Sequence, residues 1–194
     1  MDPVVDSAVE FVNELFASNC GGHDVSHTLR VYRNAAFIAE KEKGCDIRIV
    51  ALAALLHDAD DHKLFNTENN ANARGFLSEH GLKASEIERI INAVNSVSFS
   101  QNRGKRPDTI EGMVVQDADR LDAIGAIGIA RTFAYGGEHG RSIEASVQHF
   151  YDKLFLLKNE MNTRTAKKIA ERRHSFMESF INELNCEIDP QSDF

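Results

Sequence analysis

Residues 49–56 read IVALAALL, an unbroken apolar run that ends directly in HDADDHK. A helix that is apolar all round has no face to give to water, so it belongs at the centre of whatever core the chain builds. Five ionisable side chains then follow within six residues, His57 to His62. Desolvating so many charged groups costs several kcal/mol unless they are paired, hydrogen-bonded or bound to a metal. The stretch therefore demands a buried helix and a compensated polar cluster at its end.

The flanking sequence supplies helices to surround it. Val4, Val5, Ala8, Val9, Val12, Leu15 and Phe16 share one face, entered by Asp2 as N-cap with Pro3 behind it. Gly21 and Gly22 stop that helix, and a second starts near Asp24 and ends before Gly44. Asp46 caps the apolar third. Further on, the spacing predicts a helix over 69–80 stopped by Gly81, and a capping box of Ser85 and Glu88 opening another. One or two helices are expected over 109–135, interrupted or tightly packed at Gly125 and Gly128, and a long last one is capped by Thr163. No alternating pattern is long enough for a sheet, and no internal repeat occurs. The expected fold class is all-α, a helical bundle.

A chain of 194 residues is long enough to bury about 70% of its unfolded surface without staples, and it is read as a single domain over 1–194. The acidic start MDPVVDSAVE is unlike a secretory signal, and the apolar runs fall short of the ~20 residues of a membrane span. Cys20, Cys45 and Cys186 are odd in number and form no CxxC, which suits reduced thiols. These readings together suggest a cytoplasmic protein with no membrane partner. A net charge of −8 disfavours stable nucleic-acid binding. The exception is NRGKRP at 102–107, where Arg103, Lys105 and Arg106 form either a solvated loop or a phosphate-attracting patch.

The residues able to carry chemistry lie in three places: His23 and His27 in GGHDVSHTLRV, His57 and Asp58 in LLHDADDHK, and Asp117, Asp119 and Asp122 in QDADRLDAIGAIG. Imidazole and carboxylate donors without thiolate suit manganese, iron, cobalt, nickel or magnesium at least as well as zinc. Spacing alone does not choose among the three acids of DADRLD. Asp122 could orient a neighbour or serve in a local salt bridge.

These motifs, in this order on an all-α chain, resemble the HD superfamily of metal-dependent phosphohydrolases. Its pattern is a His, a His-Asp doublet and a distant Asp around one cation. The small bacterial HD hydrolases are also similar at VSFS, at HGRSIEASVQHFYDKLFLLKNEMNT and at RRHSFMESF. The resemblance implies a single HD domain that binds one divalent ion, manganese being favoured, through His27, His57, Asp58 and Asp119. It places Asp61 where related enzymes carry an acid acting on water, here an Asp where Glu is common. Lys63 would neutralise phosphate charge beside it. The implied substrate is a small phosphorylated molecule, a nucleotide in the nearest subgroup, with phosphate or pyrophosphate released. A phosphodiesterase or alarmone hydrolase, and a non-catalytic metal-stabilised module, are the alternatives. Asp61 and Lys63 favour catalysis, because a structural ion needs neither.

Overall fold

The computed structural model describes residues 2–17, 24–62, 64–97, 102 and 104–189. Among these residues the regular structure is helical and no strand occurs, which makes the protein all-α as expected. The chain divides into two compact units, residues 1–119 and 120–194.

In the first unit, α1 (Pro3–Leu15), α2 (Val25–Ala39), α3 (Ile47–Leu56), α4 (Ala71–Glu79) and α5 (Ala84–Asn95) precede most of α6 (Ile110–Asp122). Helix α3 is its centre, packed against α1, α2 and α5. Every residue from Ile49 to Leu56 is buried, as an all-round apolar helix requires. Leu52, Leu55 and Leu56 are fully buried, each worth about 2–3 kcal/mol relative to exposure. No helix is long and apolar enough to cross a membrane among the described residues.

The helix starts follow their local chemistry. Asp2, Asp24 and Asp46 accept from the backbone N–H groups of Val4, His27 and Ile49, each satisfying a donor that the first helical turn leaves unpaired. The expected capping box does not form. Helix α5 starts at Lys83 with no side-chain cap, and Glu88 instead takes both guanidinium nitrogens of Arg74, at 2.6 and 3.0 Å. A bidentate charged partner outcompetes a local backbone N–H. Gly81 ends α4 with φ of +72°, a conformation glycine adopts without steric cost.

The second unit holds α7 (Gly125–Glu138), α8 (Ile143–Asp152), a 3-10 helix (Leu154–Glu160) and the long α9 (Arg164–Ile188). Thr163 caps α9 as read from the sequence, and Ser142 caps α8. The 109–135 segment is two helices, broken before Gly125. A side chain on Gly128 would meet the Ala123 carbonyl oxygen at 2.3 Å, and one on Gly125 the Arg173 side chain at 2.9 Å. These glycines thus serve close packing.

Candidate metal centre

Three helices of the first unit deliver the donor residues. His27 lies in the first turn of α2, where its own backbone N–H donates to the Asp24 cap at 2.6 Å. His57 is the C-cap of α3 and Asp58 follows it. Asp119 comes from the last turns of α6. The apolar run thus carries its first polar residue to the carbonyl end of a buried helix, where the partial negative charge favours a cation.

His27 Nε2 lies 3.3 Å from His57 Nε2, 3.4 Å from Asp119 Oδ1 and 3.5 Å from Asp58 Oδ2. His57 Nε2 lies 3.2 Å from Asp58 Oδ2. His27, His57 and Asp119 form a mutually close group of potential metal donors, and Asp58 joins through its two contacts to the imidazoles.

These separations fit an ion. With donor bonds of ~2.0–2.2 Å, the edges of a tetrahedral or octahedral shell run roughly 2.9–3.5 Å. His57 Nδ1 lies 2.9 Å from the Ala54 carbonyl oxygen. Donation there fixes the tautomer and leaves the Nε2 lone pair for the cluster, as an outer hydrogen bond does for a ligating histidine. The His57 side chain is 1% exposed and that of Asp119 27%, so the centre is closed on one side and open on the other.

The charges support one another. Burial works against an imidazolium at His57, but the charge and hydrogen bond of Asp58 outweigh it and hold the pKa above its ordinary value. Burial likewise pushes Asp119 up, yet the hydrogen bond and charge of His27, aided by His57, hold its carboxyl below the usual range.

Of the three acids in DADRLD, Asp119 is the one in the donor group. Asp117 is fully buried, and Asp122 pairs with Arg131 at 2.5 Å, the salt-bridge alternative. Asp61 sits in the turn after α3, its N–H donating to the Asp58 carbonyl at 3.1 Å, and its carboxylate lies 3.6 Å from the exposed His62 ring. Lys63, Arg103, His23, Cys20, Gly21, Gly22 and the last three residues of VSFS lie outside the described residues. Cys45 is a free thiol, and both Cys45 and Cys186 are half-buried.

The sequence reading did not assign Asp60. Its carboxylate accepts from the backbone N–H groups of Asn72 and Ala73 at 2.9 and 3.0 Å, and the Asn72 side chain donates to the Ala59 carbonyl at 2.7 Å. Asp60 thereby caps α4, whose own N-cap Asn70 makes no side-chain capping bond. Partners twelve residues away leave no local signal.

Comparison with known proteins agrees with this geometry. The HD domain model matches residues 24–124. Protein YpgQ of Bacillus subtilis (strain 168) is 42% identical over 187 residues, which span 92% of this chain and 90% of that protein. The crystal structure of Bacillus subtilis YpgQ in complex with ADP superposes with a TM-score of 0.81 at 38% identity, covering 95% of this chain and 98% of that one. An HD-superfamily hydrolase from Bacillus thuringiensis gives 0.81 at 38%, covering 95% and 96%. Since the matched segment contains all four converging residues and the helices that carry them, this chain belongs to the HD domain family.

Proposed function

We propose that the protein is a metal-dependent phosphohydrolase acting on nucleotides, with His27, His57, Asp58 and Asp119 holding one divalent ion. The observation that carries this reading is the convergence of two imidazoles 3.3 Å apart with two carboxylates, each lying 3.2–3.5 Å from an imidazole nitrogen. Bound there, such an ion supplies a water of lowered pKa and polarises a phosphoryl oxygen. The oxygen and nitrogen donor set would suit an ion such as manganese.

The chain's own residues do the rest. Asp61, three residues after Asp58 on the same turn, takes the proton from the attacking water as the new P–O bond forms and the bond to the leaving group breaks. Lys63 offsets phosphate charge from the same segment. The ADP bound to the YpgQ relative supports a nucleotide as ligand.

Protein reconstituted with manganese and offered nucleoside mono-, di- and triphosphates and a model phosphodiester tests the reading. Hydrolysis of a nucleotide is expected, and product identity separates pyrophosphate from single-phosphate release. Failure to hydrolyse any nucleotide with the ion in place would refute it.

A further inference from the structure

We propose that a cavity of about 230 Å³ in the first unit binds a phosphoryl group through residues other than the His/Asp cluster. It lies between the end of α5, the basic loop and the start of α6, and Asn92, Asn95, Lys105, Arg106 and Gln116 line it.

Asn102 and Lys105 of this loop are tied to the helices beside it. Gly104 turns it with φ of +70°, Lys105 N–H donates to the Asn102 carbonyl at 3.0 Å, and the Asn102 side chain donates to the Asn95 carbonyl at 2.9 Å. Gln116, fully buried, donates to the Ser96 carbonyl at 2.8 Å and reaches the Lys105 carbonyl at 3.5 Å. Buried amides that satisfy backbone carbonyls hold a loop to a defined shape.

The cations on this loop lack the partners given to others. Arg48, Arg74 and Arg89 of the same unit each pair with at least one carboxylate. The Arg106 guanidinium donates to the Met113 sulfur at 3.4 Å, and no carboxylate pairs with Lys105 or Arg106 among the described residues. Asp108 also lines the cavity and opposes an anion, but two cations against one acid leave the wall positive. Asn95 uses its side-chain oxygen to accept from Asn70 at 3.0 Å, so its NH₂ group is left as a donor. Two cations and amide NH₂ groups are complementary to a tetrahedral oxyanion. Gln116 precedes Asp119 by three residues on α6, ~4.5 Å along the axis. The phosphoryl group could therefore be the far end of a nucleotide held at the His/Asp cluster or belong to a separate phosphate compound.

Inorganic phosphate titrated into isotope-labelled, magnesium-loaded protein at low salt, followed by NMR, tests the site. The side-chain NH₂ signals of Asn92 and Asn95 should shift, and Lys105→Ala with Arg106→Ala should weaken that binding at least tenfold. Both side chains are exposed, so the fold should survive, and Asn92→Asp, which adds a carboxylate to the wall, provides a second variant of the same direction. Asp119→Asn should leave the cavity's phosphate affinity within twofold. Unmoved NH₂ signals, or affinity that neither cavity variant changes, would overturn the proposal. The source is read in a second measurement, steady-state turnover. A KM for a nucleoside triphosphate that rises at least tenfold in the double variant identifies the phosphoryl group as the substrate's own. A KM within twofold of wild type, with phosphate binding still lost, identifies a separate compound.

Discussion

The two ends of α3 solve the same problem differently. At the amino end, Arg48 pairs with Asp2 and Glu86, while Arg89 lies 3.3 Å from Asp46 and 3.6 Å from Glu111, and the Asp46 N–H donates to Glu111 at 3.1 Å. There every acid has a guanidinium partner supplied by the chain, four carboxylates sharing two arginines. At the carboxyl end, Asp58 and Asp119 converge on two imidazoles that carry a full positive charge only when protonated. One end is complete with protein alone; the other is arranged for a cation from outside. Similar numbers of charged groups on one helix can therefore mean structure at one end and chemistry at the other.

The contrast breaks most visibly at His57. His57→Ala should lose metal and activity together. Its melting temperature should also cease to respond to manganese, because the ion stabilises only the folded state, by about 2.7 kcal/mol at a concentration of 100 times its Kd. Elemental analysis and melts with and without the ion check this, and an ion retained at about one per chain would move the metal centre elsewhere. Next in size is Asp61→Asn, which keeps the volume and removes the basicity. It should retain the ion and lose roughly 10²-fold in kcat. Full activity would dismiss the general-base role, and loss of metal would place Asp61 in the ion's own shell.

At the other end the effects should be smaller and unconnected with metal. Arg48→Ala and Arg89→Ala should each cost about 0.5–1 kcal/mol in denaturant melts, as half-exposed ion pairs do, with metal content unchanged. A loss of metal in either would erase the distinction drawn above. Smallest at neutral pH is the effect of Cys45. Burial, then the charges of Glu111, Asp46 and Glu42, push its thiol up to about 11 from 9.0. Below pH 9 the thiol is neutral whether the chain is folded or not, and nothing is gained or lost. Between about 9 and 11 the unfolded chain ionises first, so stability should fall with rising pH. Urea melts of wild type and Cys45→Ala at pH 8 and pH 10 would show a gap that opens only at the higher value.

What the sequence disclosed follows the range of the interactions. The caps at Asp2, Asp24, Asp46 and Thr163 were legible because each acts within three residues of itself. The box at Ser85 and Glu88 failed because Arg74, fourteen residues earlier, claims Glu88. The donor residues were readable from their motifs, yet choosing Asp119 over Asp117 and Asp122 from the residues alone was not possible. All three lie on one helix, and only the fold decides which of them meets the His27 imidazole. Helix α8 and the following 3-10 turn went unread by spacing, and the amide-lined cavity was invisible because its residues come from two helices and a loop.

Asp60 has a consequence for motion. Its carboxylate holds the first amides of α4, and Asn72 holds the Ala59 carbonyl in return, so the turn carrying His57 and Asp58 and the start of α4 are fastened at three points. Segments joined in this way open as one cooperative unit. Exchange of the Asn72 and Ala73 amide protons should thus report on the turn itself, so that occupancy of the metal centre becomes readable in a helix that contributes none of the four donors.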